Sequence, residues 1–243
     1  MIPLILLLAE LLGLYFLAQG LTQVFYDVCF LLFRSRTLAI TIITLITFPG
    51  TVIHELSHLF TAEILGVHTG KLTLVPEGIN EEEVKAGSVM ISESDPFRRY
   101  LIGLAPLFTG LIFITALSYL LINPTVIPII LPELSIFNYQ FSIISLLILY
   151  LLLAISNSMF SSKEDLKGFI PFAIALGAMI VAGYVAGLRI GITGVLLTFV
   201  TTLLDALTKS LAVVLVINLV GLIIMKGLML LTQKITHRKL LRK

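Results

Sequence analysis

The chain has 243 residues, 58% of them hydrophobic and only 12% charged, with a formal net charge of +2 and a mean hydropathy of +1.09. A soluble domain carries about twice that charged fraction, so a water-soluble globule is excluded and a bilayer is the expected solvent. The small net charge argues against a nucleic-acid binder, and the single cysteine, Cys29, excludes an internal disulfide.

A helix crosses the hydrocarbon core with about 20 apolar residues. That length predicts an all-α polytopic protein, a single membrane domain with six spans over 2–33, 38–65, 97–122, 138–160, 166–187 and 193–232. Met1-Ile2-Pro3-Leu4 has no basic flank and is expected to open the first span, not a cleaved signal. Glu10 and Asp27 in the first span, and Asp205, Lys209 and Lys226 in the last, should face protein or the interface. Asp205 and Lys209 are four apart, share a helix face and should pair.

The longest polar insertion covers 66–96. Lys71 to Val75 alternates in polarity, Pro76-Glu77-Gly78 turns, and Ser88 to Ile91 can return as a second strand. A small cytoplasmic β-hairpin is therefore expected between spans two and three, with Glu81-Glu82-Glu83 as a solvated run. Six crossings put Lys71, Lys85, Arg98, Arg99, Lys163, Lys167 and the basic tail from Lys234 to Lys243 on one side, and Arg34, Arg36 and Arg189 on the other. The excess of Lys and Arg predicts both termini in the cytoplasm.

His54-Glu55-Leu56-Ser57-His58 lies within the apolar run from Thr37 to Val67. Residues i and i+4 share one helix face, so both imidazoles can reach one zinc ion. Glu55, beside the first imidazole, can take a proton from an attacking water. Burying two histidines and a glutamate in an apolar span costs several kcal/mol unless something pairs with them, and a metal would. Pro49-Gly50, about one turn earlier, should loosen the helix. Catalytic zinc keeps three protein ligands and an open position, so a third must come from elsewhere. His68 and His237 are poorly placed, and Glu63 should sit at the membrane surface. Asp165 and its neighbour Glu164, at the end of the fourth span, are the candidates.

At these residues the chain resembles the site-2 proteases, a family of membrane-embedded zinc metalloproteases. That family pairs an HExxH helix with a later N-x-x-P-x-P-x-x-D-G segment whose aspartate is the third ligand. Asn157 and Asp165 have the required separation, with Phe160 and Ser162 in the proline places and Leu166 in place of the glycine. Gly103-Leu104-Ala105-Pro106 with Gly110 is similar to the family's Gly-Pro motif. The resemblance covers about 38–187. It implies a single Zn²⁺ per chain on His54, His58 and Asp165, Glu55 as general base, and Asn157 hydrogen-bonding the substrate backbone or the oxyanion. It also implies membrane-spanning protein substrates. Sidedness then puts the site toward the cytoplasm of a prokaryotic, multi-pass cell-membrane protein. The alternative is an inactive membrane scaffold or chaperone of the same fold. Asn157 could equally serve as a cap at the end of the fourth span.

Overall fold

The computed structural model describes residues 2–74, 87–92, 94–123, 143–160, 174, 177–179, 182–183, 185–187 and 193–236. Helices α1 (Ile2–Phe33), α2 (Arg36–Ile64) and α3 (Pro96–Ile122), together with the last helix, α5 (Gly194–Thr236), are each long and apolar enough to cross a bilayer. The protein is therefore an integral membrane protein. α4 (Ile143–Ser158) is shorter. Strands β1 (Thr69–Thr73) and β2 (Ser88–Ile91) form an antiparallel pair, with Leu72 opposite Val89 and Thr73 opposite Ser88. The first strand starts and ends two residues before the alternating stretch read from the sequence. The acidic run at 81–83 lies outside the described residues.

Local sequence sets the helix ends. Ser35 caps α2 by accepting from the Leu38 N–H. Asp95 caps α3 through the Arg98 N–H, with Pro96 at the first helical position. Arg34, at φ 55°, makes the reversal from α1 into α2. Leu7, Leu14, Ile114, Leu152, Ile155, Leu211 and Val214 form the main core, shared by α1, α3, α4 and α5.

The contacts fix the helix directions. Gly50 of α2 lies against Ala154 and Ser158 of α4, and Tyr150 donates to the Ile46 carbonyl at 2.9 Å, so α2 and α4 run parallel. Gly13 meets Leu215 and Gly20 meets Leu222, so α1 and α5 also run parallel. Leu153 meets Gly221 while Asn157 meets Asn218, so α4 and α5 are antiparallel. α5 therefore starts on the side toward which α4 points.

Of the six expected spans, four are helices long enough to cross, α1, α2, α3 and α5, and the fourth expected span is seen as the shorter α4. The fifth, 166–187, lies mostly outside the described residues. Because α5 runs parallel to α1, Lys234 in its last turn stands at the end of Arg34 and Arg36, not at the end of Lys71, Arg98 and Arg99. Among the described residues the basic side chains are therefore shared between the two ends, and they select no orientation.

Candidate metal centre

Gly50 is the fifteenth residue of the 29 in α2, so the α2–α4 crossing sits at mid-helix. A Cβ at Gly50 would lie 2.2 Å from the Ala154 carbonyl oxygen and 2.5 Å from Ser158 Oγ, a contact only glycine permits. Pro49 deprives the Leu45 carbonyl of its helical donor. Around this loosened turn, hydroxyls serve neighbouring carbonyls: Tyr150 donates to Ile46 O, and both Thr51 and Ser158 donate to Thr47 O. The backbone is thus pinned one turn ahead of His54, and the histidines lie about 6–12 Å along the axis from the crossing.

His54, Glu55 and His58 are all buried, at 4%, 6% and 6% exposure. His58 Nδ1 is 2.8 Å from the carbonyl oxygen of Ile102 on α3. A carbonyl only accepts, so Nδ1 carries the proton and the neutral ring presents a lone pair at Nε2. That Nε2 is 3.2 Å from His54 Nε2, and the two rings stand at 82°. Two imidazoles on one tetrahedral zinc at 2.0–2.1 Å have nitrogens about 3.3–3.4 Å apart. The observed separation fits that geometry, and the Ile102 carbonyl is the kind of outer partner that fixes a ligating imidazole's tautomer.

The hairpin reaches the same point. A Cβ at Gly87, just before β2, would lie 2.9 Å from Glu55 Cγ and 3.0 Å from its Oε1. The strand backbone therefore runs directly over the carboxylate, and a glycine is what lets it pass. Glu63 is exposed and accepts from the Thr69 hydroxyl at 2.7 Å, and His68 is exposed. Both stand apart from the buried pair of histidines.

Among the described residues no group of three His, Cys, Asp or Glu side chains is gathered to hold a metal. Asp165 and Glu164 lie outside the described residues. Asn157 is described. It stands in the last turn of α4, and both hydrogens of its Nδ2 are used, one on Leu153 O at 2.7 Å and one on Asn218 Oδ1 at 2.9 Å. Asn218 is itself fixed, because its Nδ2 donates to the Val214 carbonyl and to Ser156 Oγ. Asn157 therefore offers a buried Oδ1 acceptor that has no partner among the described residues, and no free donor for an oxyanion.

Two polar features escaped the sequence reading. Asn218 is completely buried, and its signal was a lone amide in the apolar run Val213 to Leu222. The other is a polar stripe on α1, where Tyr15, Gln19, Thr22, Gln23 and Tyr26 recur at one-face helical spacing in an otherwise apolar helix. Asp205 and Lys209 do pair as expected, at 2.6 Å on the surface of α5.

No family model, curated protein or solved structure matches this chain.

Proposed function

We propose that the chain is an intramembrane zinc metalloprotease that hydrolyses peptide bonds in or near the membrane-spanning segments of other proteins. Its main support is the pair of Nε2 atoms 3.2 Å apart inside a membrane helix, with one ring's tautomer fixed by a backbone carbonyl and a buried glutamate alongside. The similarity of His54-Glu55-x-x-His58 and Asn157…Asp165 to the site-2 proteases gives the same direction.

His54, His58 and Asp165 would hold the ion. Asp165 follows Ser158, which packs on Gly50, by seven residues, and such a stretch extends up to about 23 Å. Zinc supplies a Lewis acid that polarises a peptide carbonyl and makes water acidic enough to lose a proton near neutral pH. Glu55 takes the proton of the attacking water and returns it to the leaving amine. Asn157, with its amide hydrogens engaged, accepts a hydrogen bond from a substrate N–H through Oδ1 and helps hold the backbone.

The test is bound zinc per chain in the purified protein, for wild type, His54→Ala, Asp165→Ala and Glu55→Gln. The expected result is close to one zinc in wild type and in Glu55→Gln, and none with either ligand removed. Cleavage of a membrane reporter should be confined to wild type. Absence of zinc from wild type after reconstitution would overturn the proposal and favour the inactive scaffold.

A further inference from the structure

A cleft of about 930 Å³ lies between α1, α2 and α4. Its α2 wall is one face of the helix, through Arg36, Ile40, Ile43, Thr47 and Thr51. The residue types suggest a polar lining, but several of these groups are already spent inside the protein. Thr47 and Thr51 give their hydroxyls to the Ile43 and Thr47 carbonyls of their own helix. Gln23, on the α1 wall, gives its amide to Asp27 at 3.0 Å. Ser158, at the α4 side, bonds the Ala154 and Thr47 carbonyls. Between them the walls are Phe16, Ala18, Gly20, Ile40, Ile43 and Phe160. Phe16 is 61% exposed, so the cleft opens sideways to the bilayer.

The two ends differ. One holds Arg36 and Tyr26, where α1 turns into α2. Arg34 and Lys234 stand exposed at the same end. Among the described residues the one carboxylate there, Asp27, is buried and takes the Gln23 amide. The other end, at Thr51, lies beside Gly50, the midpoint of α2. From Arg36 to Thr51 is about 22 Å at helical rise. One leaflet, from headgroups to midplane, is about 20–22 Å deep. The cleft therefore has the depth of a single leaflet, is cationic at the headgroup level and is mainly apolar below it. A membrane helix does not fit, because at about 10 Å across it would need roughly 1,700 Å³ over this length. An extended polypeptide brings an unpaired N–H and C=O at every residue, and the Thr47, Thr51 and Ser158 hydroxyls and the Gln23 amide that would meet them are engaged. A phospholipid brings one phosphate and a chain that asks for no hydrogen bonds. Arginine has five N–H donors in a fork that matches phosphate, enough to serve the protein and a ligand together.

The geometry points to this cleft as the binding site of one anionic phospholipid, its phosphate at Arg36 and Tyr26 and an acyl chain laid along α2 toward Thr51. The chain completes the packing that α1 and α2 leave open beyond their turn. The site is separate from the histidine pair, and it stands or falls without the protease reading.

Native mass spectrometry tests it on the full-length protein, released into mild detergent from nanodiscs of equal phosphatidylglycerol and phosphatidylcholine. Wild type should retain phosphatidylglycerol about fivefold over phosphatidylcholine, the margin of roughly one cation at an anionic headgroup. Arg36→Gln should bring the two lipids level, and Arg36→Lys should keep part of the preference. Lys71→Gln, at the opposite end, should change nothing. Ile43→Trp fills the cleft and should remove the retained lipid with Arg36 still in place; circular dichroism and the melting temperature show whether each variant is folded. Gln19→Leu separates the occupants, because Gln19 also lines the cleft. An acyl chain should be held as well or better beside leucine, whereas a polypeptide or water would lose an amide partner. Equal retention of both lipids by wild type would overturn the proposal. So would an unchanged preference in Arg36→Gln, or undiminished retention in folded Ile43→Trp, either of which would mark lipid held by surface charge alone. Loss of the lipid in Gln19→Leu would also sink it and favour a polar occupant.

Discussion

Helix α2 has two very different faces. Toward α4 it is packed backbone to backbone at Gly50, with hydroxyls on the Ile46 and Thr47 carbonyls and no room for a methyl group. Toward α1 the same turns, through Thr44, Thr47 and Thr51, border about 930 Å³ of space. The tight face sets where His54 and His58 stand relative to α3 and α4. The open face leaves room for something to approach them. A site in the bilayer needs both: a rigid frame for its ligands, and an opening that a helix bundle packed evenly on all sides would close.

That contrast can be broken at graded strength. Gly50→Val should have the largest effect, because the added atoms meet the Ala154 backbone and not a movable side chain. Overpacking of this kind costs at least about 1–3 kcal/mol, and zinc binding should fall with it; unchanged thermal stability in detergent would refute the tight crossing. Gly87→Ala comes next. Its methyl group must displace Glu55, so cleavage should drop by about tenfold or more while bound zinc stays near the wild-type level. Equal loss of zinc and cleavage would mean that the strand holds the whole helix, not the carboxylate. Asn218→Leu removes the partner of both Asn157 and Ser156. Membrane hydrogen bonds of this type are worth about 0.6–1.7 kcal/mol, a loss to be read from the unfolding midpoint in mild denaturant. Thr47→Val on the open face should be smallest, within about 0.5 kcal/mol, since it keeps the shape and removes only a hydroxyl that bonds its own helix at Ile43 O. A larger change would show that the cleft wall bears packing load.

Much of the site was legible beforehand. The i, i+4 spacing of His54 and His58 forces both rings onto one face of any helix, and burial follows from the apolar run around them. The second strand, Ser88–Ile91, followed from β-branched and apolar residues after a turn. Helix α1 spans the stretch expected of it, and α2 and α3 lie within two residues of theirs. The partner of His58 could not be read, because a backbone carbonyl has no sequence identity and Ile102 is 44 residues away. Gly87 was not singled out in the sequence; what its missing side chain allows appears only where the backbone before the second strand passes Glu55. Asn157 was read as a substrate- or oxyanion-binding residue or a cap; it stands in the last turn of α4, and which of its atoms is available depends on Asn218, which is 61 residues further on.

By itself the sequence determined the solvent and the candidate chemistry. Hydropathy dictates burial in a bilayer, and helical periodicity dictates which side chains share a face; both are local properties. The tertiary structure alone decided the direction of α5, the pinning of α2 at Gly50 and the cleft beside α1. These depend on which helices touch and at what depth. Hydrophobicity is non-directional, so apolar segments of similar character can pack in several orders, and only close contacts such as Gly50 on Ala154 or Asn157 on Asn218 select one of them.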